Sequence, residues 1–191
     1  CTQPDVNIKH KSIIQLKNVF KKKKNCIISI PLINSKNIWK DKKRDKEPIQ
    51  VKKIIGAIFL CDRKKFKRIH MFDENFFFYW EDIDLSKRIE FSNFNIYLEP
   101  KSLAIHNNSK STINSLKERY IRSSYFKFGE YLYQYKHKKL KLIKIIREPI
   151  KSILEIIILL ISFRFKSALI KTFKLLGILY FFIYFIKKKL I

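Results

Sequence analysis

Glycine is scarce in this chain, 3 in 191 residues, beside 5 prolines, 3 cysteines and 1 methionine. That excludes a collagen-like repeat and a Gly/Pro-rich linker protein. The cysteines, at positions 1, 26 and 61, form no C-x-x-C pair and no even-numbered framework. Structural disulfides and a thiolate zinc site are therefore excluded, and a reducing compartment is expected. Acid is scarce too, with 16 Asp+Glu against 42 Lys+Arg and a formal charge of +26. Hydrophobic residues at 47% and aromatics at 15% are too many for a disordered basic tail. The length suits one domain, or part of one with an appendage. Cys1 comes first, Met71 is the only methionine, and nothing near the start resembles a signal-peptide remnant. The chain is accordingly expected to be a piece of a longer protein.

The surplus charge must face an anionic partner or be screened, and anionic lipid and nucleic acid are the usual candidates. It gathers at Lys21–Lys24, at Lys40, Lys42, Lys43 and Arg44, between Lys136 and Arg147, and at Lys187–Lys189. Any one of these runs also reads as a solvated face. The window 73–84, DENFFFYWEDID, is the exception: it holds Asp73, Glu74, Glu81, Asp82 and Asp84 beside five aromatics, with no Lys or Arg. Part of that acid fits a helix first turn, where the macrodipole favours it. Asp73 and Glu74 lie upstream of any such turn, so the window reads as a functional site using a cation or a proton transfer.

Apolar spacing predicts a helix over 11–20, a buried strand over 26–31 ended by Pro31, and a polar, Lys-rich excursion over 34–53. A strand follows over 54–61, a short basic helix over 63–69 and a helix over 80–91, where Asp84 and Arg88 are spaced to pair. Two short strands, 95–100 and 102–106, are expected to break at Pro100. Alternating strands and helices indicate an α/β layer fold to about residue 110. Beyond it come a Tyr- and Phe-rich helix over 115–135, a polybasic stretch over 136–147, and apolar segments at 156–163 and 175–186. The first apolar segment reads equally as a packed core helix or as membrane-associated, and the second as interfacial or re-entrant.

Residues 56–111 carry an ordered series: Gly56, Phe72-Asp73-Glu74, Phe76-Phe77, Glu81-Asp82, Asp84-Leu85, Arg88, Pro100, His106 and Ser111. This series resembles the acceptor-side half of glycosyltransferase family 2 enzymes, the bacterial rhamnosyltransferase-like group above all. Thr2-Gln3-Pro4-Asp5-Val6 is similar to that family's Asn-Pro-Asp-Val variant of the D-x-D metal motif. Gln3 stands where Asn or Asp is usual, and His70-Met71 stands where a Gly-Gly pair is common. The family's nucleotide-binding βαβ half has no counterpart here.

The fold class this implies is α/β, an incomplete GT-A-like (Rossmann-like) domain over 1–112. A helical polybasic connector over 113–149 and apolar membrane-associated helices over 150–191 are expected to follow. The resemblance implies metal-dependent, inverting sugar transfer from a nucleotide-diphosphate sugar to a lipid-linked or cell-surface polysaccharide acceptor, inactive without the missing half. Asp82 matches the catalytic base, with Glu81 as the alternative or as a residue orienting acceptor hydroxyls. Asp5 matches a carboxylate ligand of magnesium or manganese, and His106 a histidine that completes the metal site. A lone histidine ending a strand otherwise reads as structural. Asp73 and Glu74 are expected to form a turn or touch sugar, Trp80 to stack on an acceptor ring, and Asp84 and Arg88 to belong to the substrate-binding set. With the apolar C-terminus, this places the chain on the cytoplasmic face of the inner membrane, peripheral, re-entrant or spanning, against anionic lipid. Two other classes remain: a basic nucleic-acid-binding protein, for which no module pattern is present, and a non-catalytic membrane-peripheral subunit.

Overall fold

The computed structural model describes residues 2, 4–33, 47–54, 56–106 and 115–190, with the side chains of 189 and 190 left out. Gln3, Ser111, and the basic run at Lys40, Lys42, Lys43 and Arg44 lie outside the described residues. The chain divides into two compact units, one of residues 1–73 and 82–112, the other of residues 74–81 and 113–191.

The first unit is built on a mixed five-stranded sheet. Its strands are β1 (Val6–Ile8), β2 (Cys26–Ile33), β3 (Ile49–Val51), β4 (Leu60–Cys61) and β5 (Asn95–His106). The order is β1-β5-β2-β4, with β3 pairing the first half of β5 on the edge whose other end takes β1. Only β2 and β5 run parallel. β2 is buried along its whole length, as a run that is apolar but for Ser29 requires of a strand covered on both faces. Burial pushes the Cys26 thiol there up to about 12, which leaves it inert. Helices α1 (His10–Lys22), α2 (Arg63–Arg68) and α3 (Glu81–Glu90) complete the unit. Phe66 of α2 and Leu85 and Ile89 of α3 join Ile28, Ile30, Ile96 and Leu98 of the sheet in the main core.

Four readings of the sequence change here. The expected break at Pro100 is a bulge instead: Pro31 pairs with Glu99 but Leu32 with Leu103, so residues 100–102 have no partner on β2. Ser12 of α1 takes up that gap, its Oγ accepting from Leu103 N–H at 3.1 Å and its carbonyl accepting from Ser102 Oγ at 3.0 Å. β2 accordingly continues past Pro31 to Ile33. The expected strand over 54–61 shrinks to β4, because the Ile54 and Gly56 N–H groups bond side chains of α3 rather than a neighbouring strand. β3 occupies part of the expected excursion.

The second unit contains α4 (Leu116–Lys136), α5 (Leu142–Ile161) and α6 (Phe165–Leu190). Ser115 caps α4 by accepting from Glu118 N–H at 3.1 Å. Tyr131 of α4 and Ile178 and Phe181 of α6 form its buried centre. Gly177 lets α6 approach α4 closely, since a Cβ there would collide with the Ser124 carbonyl. α5 is not a packed core helix: its apolar face, from Ile143 to Ile161, is exposed.

Candidate functional site

β1 and the end of β5 run antiparallel with Val6 opposite His106, which sets Asp5 beside the imidazole. His106 Nε2 donates to Asp5 Oδ2 at 3.0 Å. Ser102 and Ala104 are buried while Leu103 and Ile105 are about half exposed, so the period-2 alternation turns His106 toward the covered face. Its Nδ1 is buried, with no hydrogen-bond partner among the described residues. With its proton on Nε2, the ring keeps an unused lone pair on Nδ1.

Asp82 lies in the first turn of α3 and accepts from the Gly56 N–H through Oδ2 at 3.3 Å. Its carbonyl accepts from Ser86 Oγ at 2.6 Å, and the same hydroxyl accepts from Ile54 N–H at 3.0 Å. Two bonds thereby lace 54–56 to one turn of α3. A Cβ on Gly56 would lie 3.4 Å from Asp82 Oδ2, at van der Waals contact with the carboxylate. Ala57 and Ile58, which follow Gly56, pack with Val6 and Ala104 in one small apolar cluster. The strand pair bearing Asp5 and His106 thus packs, through Val6 and Ala104, on the residues that follow Gly56. Ser86 escaped sequence reasoning; the D-x-x-x-S spacing over 82–86, one helical turn, was its signal.

Asp84 and Arg88 are brought together differently. Asp84 is 0% exposed and pairs with Arg88 Nε at 2.8 Å. The two terminal guanidinium nitrogens donate to the carbonyls of Ile69 and of Met71, the latter at 2.6 Å. Arg88 therefore ties α3 to the end of α2. There, His70 N–H bonds Lys67 and Met71 N–H bonds Phe66, a Schellman closure. His70 takes its left-handed position at φ 61°, with Met71 at 48°, so both residues adopt the backbone that glycine favours. Asp73, half-buried, ends this loop.

In the second unit Glu74 is exposed and Trp80 is half-buried. The Trp80 ring lies against Gly129, where a Cβ would come within 2.9 Å of Cδ1, and packs on Phe126 and Tyr133 with centroids 5.7 and 5.3 Å away. Its described contacts are with the chain's own aromatics. Glu81 is half-buried, and the division between the units falls between it and Asp82.

No group of three or more His, Cys, Asp or Glu able to hold a metal occurs among the described residues. Asp5 and His106 make a two-ligand set. Adjacent ligands of an octahedral magnesium ion, with bonds of about 2.0–2.1 Å, lie about 3 Å apart, and the Asp5–His106 separation is 3.0 Å. That distance is also the hydrogen bond in which Nε2 donates, so the pair would hold a cation only with the imidazole proton moved to Nδ1, which has no partner among the described residues.

A family model described as the N-terminal domain of galactosyltransferase matches residues 43–112. No curated protein and no solved structure matches the chain. The matched stretch encloses Gly56, the acidic window, Arg88 and His106, while Asp5 lies outside it. The match is with a galactosyltransferase model rather than the rhamnosyltransferase-like group of family 2, and the mixed α/β architecture is compatible with an incomplete GT-A-like domain. Similarity over 43–112 points to a glycosyltransferase-like family and supports a general role in glycosyl transfer.

Proposed function

We propose that the chain is the acceptor-side part of a metal-dependent, inverting glycosyltransferase that moves a sugar from a nucleotide diphosphate to a lipid-linked or cell-surface polysaccharide acceptor. What supports this reading is similarity to a galactosyltransferase model over 43–112, which includes Asp82 and His106, together with the apolar cluster that joins Val6 and Ala104, near Asp5 and His106, to the Ala57 and Ile58 that follow Gly56. Asp82 takes the proton of the acceptor hydroxyl as its oxygen attacks the anomeric carbon. Glu81, next in sequence, is the alternative base or orients the acceptor. Asp73 and Glu74 are assigned to sugar hydroxyls. A divalent ion held by Asp5 and His106 would neutralise charge on the leaving diphosphate.

α6 supports placing this chemistry at a membrane, and the cytoplasmic face of the inner membrane is the side we propose. Phe165–Lys188 is long and apolar enough to span one and is 17% buried. The test is nucleotide-sugar turnover by the protein supplied with its donor-binding half and magnesium or manganese. Asp82→Asn is expected to lower kcat by about 10²–10⁴-fold with the melting temperature unchanged. Full activity in that variant removes Asp82 as the base.

A further inference from the structure

The face of α5 turned away from the other helices is a continuous apolar stripe. Ile143, Ile146, Ile150, Leu154, Ile157 and Ile161 recur every three or four residues, with exposures from 47% to 72%. A groove of about 480 Å³ runs along the first part of it, bordered by Arg147 and Lys151. The same two side chains also line a second cavity of about 200 Å³, together with Lys127 of α4 and Lys171 and Lys174 of α6.

Five cations meet there, and the only carboxylates lining the cavity are already engaged. Glu148 pairs with Lys127 at 2.8 Å and accepts from the Tyr131 hydroxyl at 3.1 Å. Glu155 pairs with Lys171 and, at 3.7 Å, with Lys151. Arg147 and Lys174 have no acidic partner among the described residues. These two leave the concavity with a positive surplus, which selects an anion, and a guanidinium beside ammonium groups suits phosphate oxygens. Because Arg147 and Lys151 border both the cavity and the groove, the anion that satisfies both is amphiphilic.

We propose that the cavity lined by α4, α5 and α6 binds the phosphate of a membrane lipid, whose hydrocarbon chain lies along the Ile143–Leu154 groove, with α5 in the plane of the interface. This rests on the membrane association proposed above, and on none of the transfer chemistry. Charge complementarity selects the occupant. The acids of α5 turn to lysines of α4, α5 and α6, leaving Arg147 without one at the border of the apolar stripe.

Flotation of the full chain with phosphatidylcholine vesicles, with and without phosphatidic acid, tests the proposal. Retention is expected on the phosphatidic acid vesicles. Arg147→Gln with Lys174→Gln should weaken it by about tenfold or more, whereas the charge-matched pair Lys11→Gln with Lys17→Gln on α1 should change it little. Ile146→Ser with Ile150→Ser, at exposed positions that leave the helix packing intact, should weaken it as well. Retention equal on both vesicle types would keep the membrane association and overturn the phosphate site. Competition by inorganic phosphate, with the isoleucine variants unaffected, would overturn the lipid and leave a soluble anion. Absence of retention on either vesicle would overturn both this proposal and the membrane association.

Discussion

Asp5 and His106 stand 3.0 Å apart, Oδ2 to Nε2, because β1 meets the last residues of β5 in an antiparallel register that sets Val6 opposite His106. A side-chain hydrogen bond contributes about 0.5–1.5 kcal/mol net to stability, so this contact is a weak reason for the two residues to meet. Asp5→Asn and His106→Gln are therefore expected to shift the melting temperature little. Metal-stimulated nucleotide-sugar turnover should fall by at least about 10–100-fold, the loss typical when support of a metal site is removed. Titration with manganese would show the defect as a raised metal requirement. Equal turnover and an unchanged metal requirement in both variants would make the pair a strand-end contact and nothing more.

The acidic window and His106 were legible in the sequence because their chemistry conflicts with their surroundings: acid within a cationic chain, and one histidine closing a strand. Asp84–Arg88 was legible as an i, i+4 pair, but its attachment to the Ile69 and Met71 carbonyls was not, since backbone acceptors leave no mark on residue identity. Proline misled twice, at Pro31 and Pro100, where one bulge accommodates both and Ser12 satisfies the displaced backbone. β1 and β3, three residues each, carry too little pattern to be seen, and their pairing with β5 defines them. The face of α5 was hidden because the apolar segment at 156–163 is only its last part; from Ile143 to Leu154 the stripe is interleaved with Lys144, Arg147, Glu148 and Lys151.

Scarcity of glycine leaves a measurable strain. Schellman closures end α2, α4 and α5, and their left-handed positions hold His70, Lys138 and Phe163 at φ 61°, 54° and 55°. A left-handed backbone costs a non-glycine residue about 1–2 kcal/mol, against about 0.4–1 kcal/mol of extra chain entropy that glycine brings to the unfolded state. His70→Gly and Lys138→Gly should each raise stability by about 0.5–1 kcal/mol in denaturant titrations. Alanine at the same positions should give no such gain, because its Cβ meets the same clash. A gain with alanine equal to that with glycine would place the effect in lost side-chain contacts rather than in φ.

In the second unit Lys127 and Lys144 alternate with Glu130 and Glu148 in a closed ring, with contacts of 2.8, 2.8, 2.5 and 3.4 Å. Burial alone would raise both carboxyls, but hydrogen bonds and charge from the lysines outweigh it and hold them below the ordinary 4.5. Groups with depressed folded values add stability that is complete above their unfolded values and disappears as pH falls through the folded ones. The helices should therefore hold their melting temperature down to about pH 4.5 and lose it below that. The double variant Glu130→Gln with Glu148→Gln should start lower at pH 7 and lack this part of the acid slope. Parallel slopes for the two proteins would show that other carboxylates control acid unfolding.

Arg88 separates a binding role from a structural one. Its guanidinium satisfies the fully buried Asp84 and two carbonyls at once, a fork that an ammonium group cannot reproduce. Arg88→Met takes the guanidinium from a buried carboxylate, a change that costs about 3–5 kcal/mol, and leaves the Ile69 and Met71 carbonyls without this donor. Arg88→Lys should recover little of that loss. Asp84→Leu combined with Arg88→Met removes the carboxylate as well and should regain a large part of the stability, since apolar replacement of a buried pair is often neutral. If the double variant refolds and still turns over nucleotide sugar, the pair acts by holding α3 against the end of α2, and its place among the substrate-binding residues is lost. If it refolds and KM for the acceptor rises with kcat unchanged, Arg88 reaches substrate as well, and the ion pair is the resting arrangement of a binding residue.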